Sequence, residues 1–264
     1  MVQLVPSPVL RRSNTGPHFM FSGLKIWLRL RLEEFNFRVR EIIRRRIRKL
    51  VEIALTDLDL MAALRDIGSS AEFERAQLQK AADFKGRHQL YWYVLSQTAN
   101  EDGALFLEFG VYKGDSINRL ADIRQDVHWY GFDSFEGLPE AWTLGAKKGA
   151  FNVKGALPPV RGNVSLIKGF FEQTLPEFVA EHRGQRVAFL HVDCDLYSAT
   201  KTIFKYLENL LQPGCIIVFD EYFNYPGWEE GEYKAFAECV AGTGRAFEYI
   251  AYVRTGGQVA VRLG

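Results

Sequence analysis

The segment 104–116 restricts the fold of this chain more than any other part of the sequence. It opens with an apolar run, 104–109, that predicts a short buried strand. Gly110 and Gly114 then predict a tight turn, and residues 115–116 predict the start of a helix. Glycines let a ligand approach the backbone, and the N–H groups of a first helical turn point toward it. This strand, turn and helix start therefore predict a ligand-binding site.

The spacing of the acid and the glycines separates this turn from the dinucleotide-binding fingerprint. Glu108, Gly110 and Gly114 form the pattern E-x-G-x-x-x-G, whereas dinucleotide folds use G-x-G-x-x-G. The pattern resembles the first motif of class I S-adenosylmethionine-dependent methyltransferases. The resemblance implies that the cofactor is contacted by Glu108, Gly110, Val111, Tyr112, Gly114 and Ser116.

Strand-like and helical stretches alternate after residue 104. Two final alternating runs, 247–254 and 258–263, are joined by Thr-Gly-Gly, which predicts a hairpin. The earlier strands are separated by enough chain for crossover helices, which predicts a parallel sheet covered on both faces. Such an α/β fold, a mainly parallel seven-stranded sheet with a C-terminal antiparallel hairpin, resembles the Rossmann-like class I methyltransferase fold. The predicted parallel strands are 104–109, 128–133, 163–168, 187–193 and 214–220.

Ligands of open parallel sheets bind at the carboxyl ends of the strands. The second predicted strand ends in Asp133, whose carboxylate can accept hydrogen bonds from a ribose diol or, alternatively, cap the next helix. The third ends at Gly169, which leaves room for a flat ring that one neighbouring phenylalanine can cover, the other belonging to the core. The cofactor contacts predicted at the strand tips are Asp133, Ser134, Gly169, Phe170, Phe171 and Asp193.

Acidic residues follow two further strands. Asp193 and Asp195 end the fourth predicted strand, and Asp220 and Glu221 end the fifth. Like charges gathered in one cleft raise one another's pKa, and a divalent cation relieves that cost. Ligands that are all oxygens favour Mg²⁺, Ca²⁺ or Mn²⁺ over zinc. The alternative is that the acids of the fifth strand cap the next helix or pair with arginine.

Four ordered segments resemble the macrocin O-methyltransferase family, which methylates sugar hydroxyls of macrolide antibiotics. They are 133–140, 163–176, 193–200 and 220–222. The resemblance implies S-adenosylmethionine as cofactor and transfer of its methyl group to a sugar or other vicinal hydroxyl on a small molecule or glycan. It also implies a magnesium site at the positions of Asp193, Asp220 and Glu221. The family has aspartate at the third position, so the glutamate here puts the geometry and affinity of the metal site in doubt.

Transfer to an alcohol needs a group that accepts the hydroxyl proton. Asp193 or a metal-bound water is one candidate base, and His191 is a second, although its place in a strand also suits a packed core role. We expect Tyr197 and the aromatic segment 222–228 to form a wall of the acceptor pocket. Residues 141–160 form a long loop containing glycine and proline, which we interpret as a lid.

The N-terminal residues differ in character from the rest. Residues 1–23 are rich in Pro, Ser, Gly and Asn, which predicts a mobile lead. Apolar residues recur at helical spacing over 24–55, and between Lys25 and Lys49 ten basic and three acidic residues give a local charge of +7. This amphipathic helix suits docking on the catalytic domain or on a second subunit, or else adsorption to an anionic membrane. We expect a helical extension at 24–84, a methyltransferase domain at 85–264 and a homo-oligomer.

The composition excludes few functions. A net charge of +1 gives no reason to expect nucleic acid as a partner. The three cysteines show no metal-binding or disulfide spacing, and we find neither a secretory h-region nor a membrane span, so we expect a cytoplasmic protein, with membrane contact limited to the amphipathic helix. Two other functions stay open: a nucleotide-sugar or NAD-binding enzyme, and a non-catalytic scaffold that binds a membrane or a partner.

Overall fold

The computed structural model describes residues 39–41, 43–53, 58–98, 101–142 and 145–264. The chain divides into two compact units, residues 1–61 and 62–264. The lead predicted at 1–23 lies outside the described residues, as does the first part of the predicted amphipathic helix. The described residues 39–41 and 43–53 are helical, as predicted, and we name this helix α1. Helix α2, Leu58–Gln77, follows it and continues into the second unit.

The second unit alternates helices and strands from residue 82 onward. Its helices are α3 Arg87–Ser96, α4 Asp115–Ile123, α5 Phe171–Glu181, α6 Tyr197–Leu207 and α7 Glu232–Thr243, with a 3₁₀ turn at Trp228–Glu230. Its strands are β1 Ala82–Asp83, β2 Leu105–Phe109, β3 Trp129–Asp133, β4 Val164–Lys168, β5 Val187–Val192, β6 Leu211–Phe219, β7 Phe247–Val253 and β8 Gln258–Leu263.

All the strands form one sheet in the order β1-β7-β8-β6-β5-β2-β3-β4. Strands β2 to β6 pair in parallel, and β8 runs antiparallel to both β6 and β7. The mainly parallel sheet and the C-terminal hairpin are thus confirmed. The predicted count of seven strands is corrected to eight, because Ala82–Asp83 pairs with the edge of β7. A two-residue strand is too short to leave a periodic pattern in the sequence.

The sheet is covered on both faces, as expected for strands joined by crossover helices. Every residue of β2 is buried. Leu105, Leu107 and Phe109 join the apolar cluster that also contains residues of α5, α6 and α7, whereas Phe106 joins a second cluster with residues of α3 and α4. This division follows from the alternation of side chains along a strand. Strands β2 and β5, in the middle of the sheet, are buried along their whole length and hold their carboxyl ends at fixed positions.

Helix α2 packs into the second unit through one aromatic side chain. The ring of Phe73 lies 5.2 Å from that of Trp228 and 5.9 Å from that of Tyr222, measured between centroids. Arg254 on the C-terminal hairpin pairs with Glu74 at 2.6 Å. The second compact unit therefore begins at Ala62, ahead of the start at residue 85 expected from the sequence.

The described residues contain no helix that combines the length and the apolar character needed to cross a membrane. The three cysteines, all within the described ranges, are free thiols, and two of them, Cys194 and Cys215, are buried. Burial raises the pKa of the Cys215 thiol to about 12, which keeps it protonated and unreactive.

Candidate active site

A cavity of about 350 Å³ opens at the carboxyl ends of strands β2 to β6. Its volume lies in the range of small-molecule sites, roughly 300–1,000 Å³. The strand tips that line it are 110–112, 133–134, 169–171, 193–195 and 220–221. These are the tips at which the sequence placed the site, and the sheet brings them together around one space.

The turn after β2 has room for a hydrogen at Gly110 and for nothing larger. Gly110 has a φ of 100°, and a Cβ there would overlap the backbone carbonyl oxygen of Asp193 at the tip of β5. Gly114 has a φ of 83° and forms the N-cap of α4. Val111, Tyr112 and Ser116 line the cavity together with Gly110, whereas Gly114 supports the turn from outside it.

Asp133 holds the glycine turn in place. One oxygen of its carboxylate accepts hydrogen bonds from the backbone N–H groups of Val111 at 2.9 Å and Tyr112 at 2.7 Å. The other oxygen accepts one from Phe135 N–H at 2.6 Å. Two N–H groups of the turn are therefore engaged by Asp133. Contact between Asp133 and a ribose, which would use the remaining acceptor capacity of the carboxylate, stays a prediction.

The tip of β4 contributes a glycine and two phenylalanines to the cavity wall. Gly169 adopts a φ of 144°, in the region that favours glycine. Phe170 is the N-cap of α5, and Phe171 packs its ring edge-on against Phe109 with the centroids 5.0 Å apart. Phe171 therefore belongs partly to the core, which leaves Phe170 as the better candidate for covering a flat ring.

Carboxylates gather on the opposite side of the cavity. Asp193, Asp195 and Glu221 each offer one oxygen, and these oxygens lie within 4.8 Å of one another. Within the described part of the chain, Asp220 Oδ1 and Glu221 Oε2 are buried without a hydrogen-bond partner. A buried carboxylate oxygen without a partner is costly, so Asp193, Asp195 and Glu221 form a donor set that fits a hard divalent cation. Asp220, which was predicted as a ligand, is not one of the three acids whose oxygens converge.

The pKa values of these acids reflect their burial and their mutual repulsion. Burial, followed by the charges of neighbouring carboxylates, raises the pKa of Asp193 and of Glu221 well above the usual range. The same causes raise the pKa of Asp195 to about 7. Asp220 differs: burial opposes its charge, but the proximity of His191 outweighs burial and lowers its pKa. The cluster therefore holds ionised and protonated acids side by side at neutral pH.

Two basic side chains approach Asp220. The guanidinium Nη1 of Arg87, on α3 at the cavity wall, lies 3.7 Å from Asp220 Oδ2. The imidazole Nε2 of His191 lies 3.8 Å from Asp220 Oδ1. Arginine pairing was one of the alternatives that the sequence left open, and at this acid it is present. Arg87 itself was not anticipated, because its position in the chain carries no recognisable pattern.

His191 and Glu108 lie beneath the cavity and not in its wall. Both side chains are fully buried, with Glu108 Oε1 at 2.9 Å from His191 Nδ1 and the Tyr91 hydroxyl at 3.1 Å from His191 Nε2. Burial opposes the charge on His191, but the carboxylates of Asp220 and Glu108 raise its pKa to about 10. This placement favours the packed role for His191 over direct proton transfer. Glu108 does not line the cavity either, and its contact with the cofactor stays a prediction.

Glu232 is a further buried acid that the sequence did not single out. It opens α7, and its Oε2 accepts a hydrogen bond from the backbone N–H of Glu221 at 3.3 Å. Its Oε1 has no partner in the described residues. Burial raises the pKa of Glu232 well above the usual range. An acid in a first helical turn is common, so nothing in the sequence marked this one.

The loop predicted as a lid contributes two aromatic side chains to the cavity wall, Trp142 and Phe151. The Phe151 ring packs edge-on against Tyr112 of the glycine turn, with the centroids 5.5 Å apart. Glu140, just before the loop, accepts a hydrogen bond from Ser198 Oγ at 2.6 Å. These contacts place the loop over the mouth of the cavity.

The expected aromatic wall of the acceptor pocket is corrected by the structure. Tyr222, Phe223 and Trp228 are buried in the core, where they pack around Phe73. Tyr197 donates its hydroxyl hydrogen to Glu238 at 2.7 Å and does not line the cavity. Tyr222, Phe223 and Trp228 turn inward because Phe73 of α2 packs against them. Tyr225 differs, because its ring lies 6.2 Å from that of Trp142 in the cavity wall, measured between centroids.

Comparison with known proteins agrees with this geometry. Residues 107–222 match a family described as a methyltransferase domain. The crystal structure of the calicheamicin methyltransferase CalS11 is similar, with a TM-score of 0.55 and 24% identity over 67% of this chain and 80% of that chain. The O-methyltransferase NovP gives a TM-score of 0.47 and 19% identity over 67% of this chain and 78% of that chain.

The apo structure of CalS11, described as a TDP-rhamnose 3'-O-methyltransferase, gives a TM-score of 0.47 and 22% identity over 67% of this chain and 81% of that chain. No curated protein matches the sequence. The chain has the Rossmann-like class I methyltransferase fold. The matching family is a general methyltransferase domain and does not single out the macrocin O-methyltransferases that four sequence segments resemble.

Proposed function

We propose that this chain is an S-adenosylmethionine-dependent O-methyltransferase that acts on a sugar or another vicinal hydroxyl. One observation carries the proposal: a single cavity joins a glycine turn, held by Asp133, to a cluster of buried carboxylates. The side of the cavity with the glycine turn suits a nucleoside cofactor, and the side with the carboxylates suits a hydroxyl acceptor and a cation. The methyltransferase-domain match over 107–222 supports the same reading.

On the cofactor side, the glycine turn and the tips of β3 and β4 would hold S-adenosylmethionine. Gly110 permits the close approach of β2 to β5, and Asp133 fixes the N–H groups of the turn. Ser134 and Phe170 line the adjoining wall, where the hydroxyl offers a hydrogen bond and the ring offers an apolar face. We propose that the adenosine lies across these residues.

On the acceptor side, we propose that Asp193, Asp220 and Glu221 hold Mg²⁺ or Mn²⁺. The fit rests on two buried oxygens without a partner among the described residues, Asp220 Oδ1 and Glu221 Oε2, and on a donor set made of oxygens. When bound, such a cation lowers the pKa of a coordinated hydroxyl. The glutamate side chain at position 221 reaches the cluster despite the aspartate in the resembling family, since its oxygen lies within 4.8 Å of those of Asp193 and Asp195.

Methyl transfer is an in-line displacement, so the side chains must align the acceptor oxygen with the methyl carbon and the sulfur. Asp193 belongs to the carboxylate cluster and also lies against Gly110 of the cofactor turn. A bound cation would favour the ionised form of Asp193 over the protonated form that its raised pKa implies without a cation, so we assign it the role of proton acceptor. Trp142 and Phe151 exclude water from the cavity mouth. His191 and Glu108 position Asp220 from below.

Calorimetry tests the cofactor assignment. We expect S-adenosylhomocysteine to bind to the full chain and NAD not to bind. Binding of NAD without S-adenosylhomocysteine would favour the dinucleotide enzyme. Binding of neither would favour the non-catalytic scaffold.

Mn²⁺ titration tests the metal assignment separately from activity. Asp193→Asn should weaken Mn²⁺ binding by about tenfold or more, because one charged ligand is lost, while S-adenosylhomocysteine affinity stays within about twofold. Glu221→Asp should retain Mn²⁺ binding. Glu238→Gln, which alters an exposed acid on α7, is the control. Equal Mn²⁺ affinity in Asp193→Asn and the control would remove Asp193 from the metal site.

A further inference from the structure

The described part of helix α1 carries apolar side chains that face solvent. Ile43, Ile47, Leu50 and Val51 are exposed by 50%, 55%, 65% and 50% of their surface. They follow one another at intervals of four, three and one, which puts them on one side of an α-helix. Large aliphatic side chains clustered on an exposed surface are uncommon in soluble proteins and indicate an interaction site.

The charged residues of α1 are arranged around this apolar side. The described residues 39–41 and 43–53 contain five arginines and one lysine against two glutamates, a net charge of +4. Glu41 and Glu52 are eleven residues apart, about three helical turns, so they share a line on the side away from the aliphatic residues. Arg40 lies on the apolar side itself, and Arg44 and Arg46 lie on its two flanks. Arg45 and Lys49 lie on the opposite side with the acids. The apolar side is thus bordered by positive charge.

We propose that α1 binds to the surface of a bilayer that contains anionic lipids, with its aliphatic side toward the acyl chains. Helices of this kind lie in the plane of the membrane interface, and their basic residues attract anionic headgroups. Arg40 and Arg46 suit that position because a long side chain can lie along apolar surface while its guanidinium reaches a phosphate. The proposal does not depend on the methyltransferase assignment.

A second copy of α1 would fit the apolar side of this helix less well than an anionic bilayer does. Two copies would bring charges of +4 and +4 together, with arginines at the contact itself. A bilayer with anionic headgroups supplies the opposite charge and an apolar layer at once. The same arrangement makes binding depend on lipid charge and on ionic strength.

Vesicle co-sedimentation of the full chain tests the proposal. We expect the protein to bind to vesicles of phosphatidylcholine mixed with phosphatidylglycerol, and to bind far less to phosphatidylcholine alone or at high salt. Arg40→Gln combined with Arg44→Gln and Arg46→Gln should lower the partition coefficient by roughly tenfold or more. The double variant Ile47→Asp with Leu50→Asp should lower it by a similar factor through loss of the apolar contact.

The matched control removes the same number of charges from the second unit: Lys80→Gln, Lys85→Gln and Arg183→Gln, three exposed residues. This variant should bind the vesicles like the parent chain. Circular dichroism should be the same for all variants, since the altered side chains are exposed. Equal loss in the control and the α1 variants would overturn the proposal, as would failure of the parent chain to bind anionic vesicles. A dimer mass in sedimentation without lipid, lost in Ile47→Asp with Leu50→Asp, would assign the apolar side to a second copy instead.

Discussion

At the scale of single residues, Asp133 makes contacts that differ from both of its predicted roles. Its carboxylate was predicted either to bind a ribose or to cap a helix, and in the structure it accepts hydrogen bonds from the N–H groups of Val111, Tyr112 and Phe135. The bond from Phe135 is a local turn contact, whereas Val111 and Tyr112 are more than 20 positions away, so no local pattern predicts them. The same holds for Glu108 and His191, which were predicted as site residues. They face each other in register on β2 and β5, and their hydrogen bond lies below the cavity.

We predict that Asp133→Ala weakens S-adenosylhomocysteine binding by about 1–3 kcal/mol, because the variant loses a charged acceptor and frees the glycine turn. Calorimetry gives the affinity, and thermal unfolding shows how much of the change comes from the turn. Asp102→Ala, at an exposed turn, is the control. Unchanged affinity in Asp133→Ala would remove this carboxylate from the cofactor site.

We predict that Gly110→Ala destabilises the fold by more than about 2 kcal/mol, because the methyl group overlaps the carbonyl oxygen of Asp193. Gly184→Ala is a matched control: Gly184 also has a positive φ, 87°, but a Cβ there meets nothing within 4 Å. The control should show only the smaller cost of the backbone conformation. Urea unfolding measures both, and equal losses would show that the contact between β2 and β5 is not tight.

At the scale of elements, the regular strands were predictable and the contacts of the loops were not. Leu105–Phe109 and Val187–Val192 are buried throughout and, apart from Glu108 and His191, apolar, because both faces of the sheet are covered there. The hairpin of β7 and β8 has alternating residues around a glycine turn. The segment 222–228 has the composition of a binding wall, yet three of its aromatic residues, Tyr222, Phe223 and Trp228, belong to the core. Their burial depends on α2, more than 140 positions earlier in the chain, and periodicity carries no information about such a contact.

We predict that Phe73→Ala lowers the free energy of unfolding by about 3–5 kcal/mol, since the ring packs against five other aromatic rings and little space can collapse around it. Trp92→Ala is the control, because Trp92 is 62% exposed and should contribute less than about 1 kcal/mol. Denaturant unfolding checks both. A loss below about 1 kcal/mol for Phe73→Ala would mean that α2 is not part of the second folding unit.

At the scale of the whole molecule, the buried acids make stability depend on pH and on cations. Burial raises the pKa of Asp195 from 3.8 to about 7, so folding takes up a proton between these values. That contribution is fully present below about pH 4 and is lost as the pH rises through 7. His191 has the same effect on stability at higher pH. Folding raises its pKa from 6.5 to about 10, so its contribution to the free energy of unfolding is lost as the pH rises through 10. The lowered pKa of Asp220 changes stability in the opposite direction, and it does so only below about pH 4.

These directions combine into a prediction for the full chain without cations. Its stability should fall as the pH rises from about 6 to 8.5, by roughly 1 kcal/mol per pH unit for each proton that folding takes up. Mn²⁺ should raise the unfolding temperature more at the higher pH, because it binds the ionised carboxylates that repel one another there. Scanning calorimetry with chelator and with Mn²⁺ at both pH values measures the two effects.

The variant that combines Asp193→Asn with Glu221→Gln supplies the control for this prediction. It removes two of the three carboxylates whose oxygens lie within 4.8 Å of one another, so its stability should depend less on pH and little on Mn²⁺. If the parent chain instead became more stable from about pH 6 to 8.5 in chelator, the carboxylates would have to be ionised and paired in the folded protein. An equal Mn²⁺ effect in the parent chain and the variant would place the cation away from the strand tips, and the acceptor side of the cavity would then need a base that works without it.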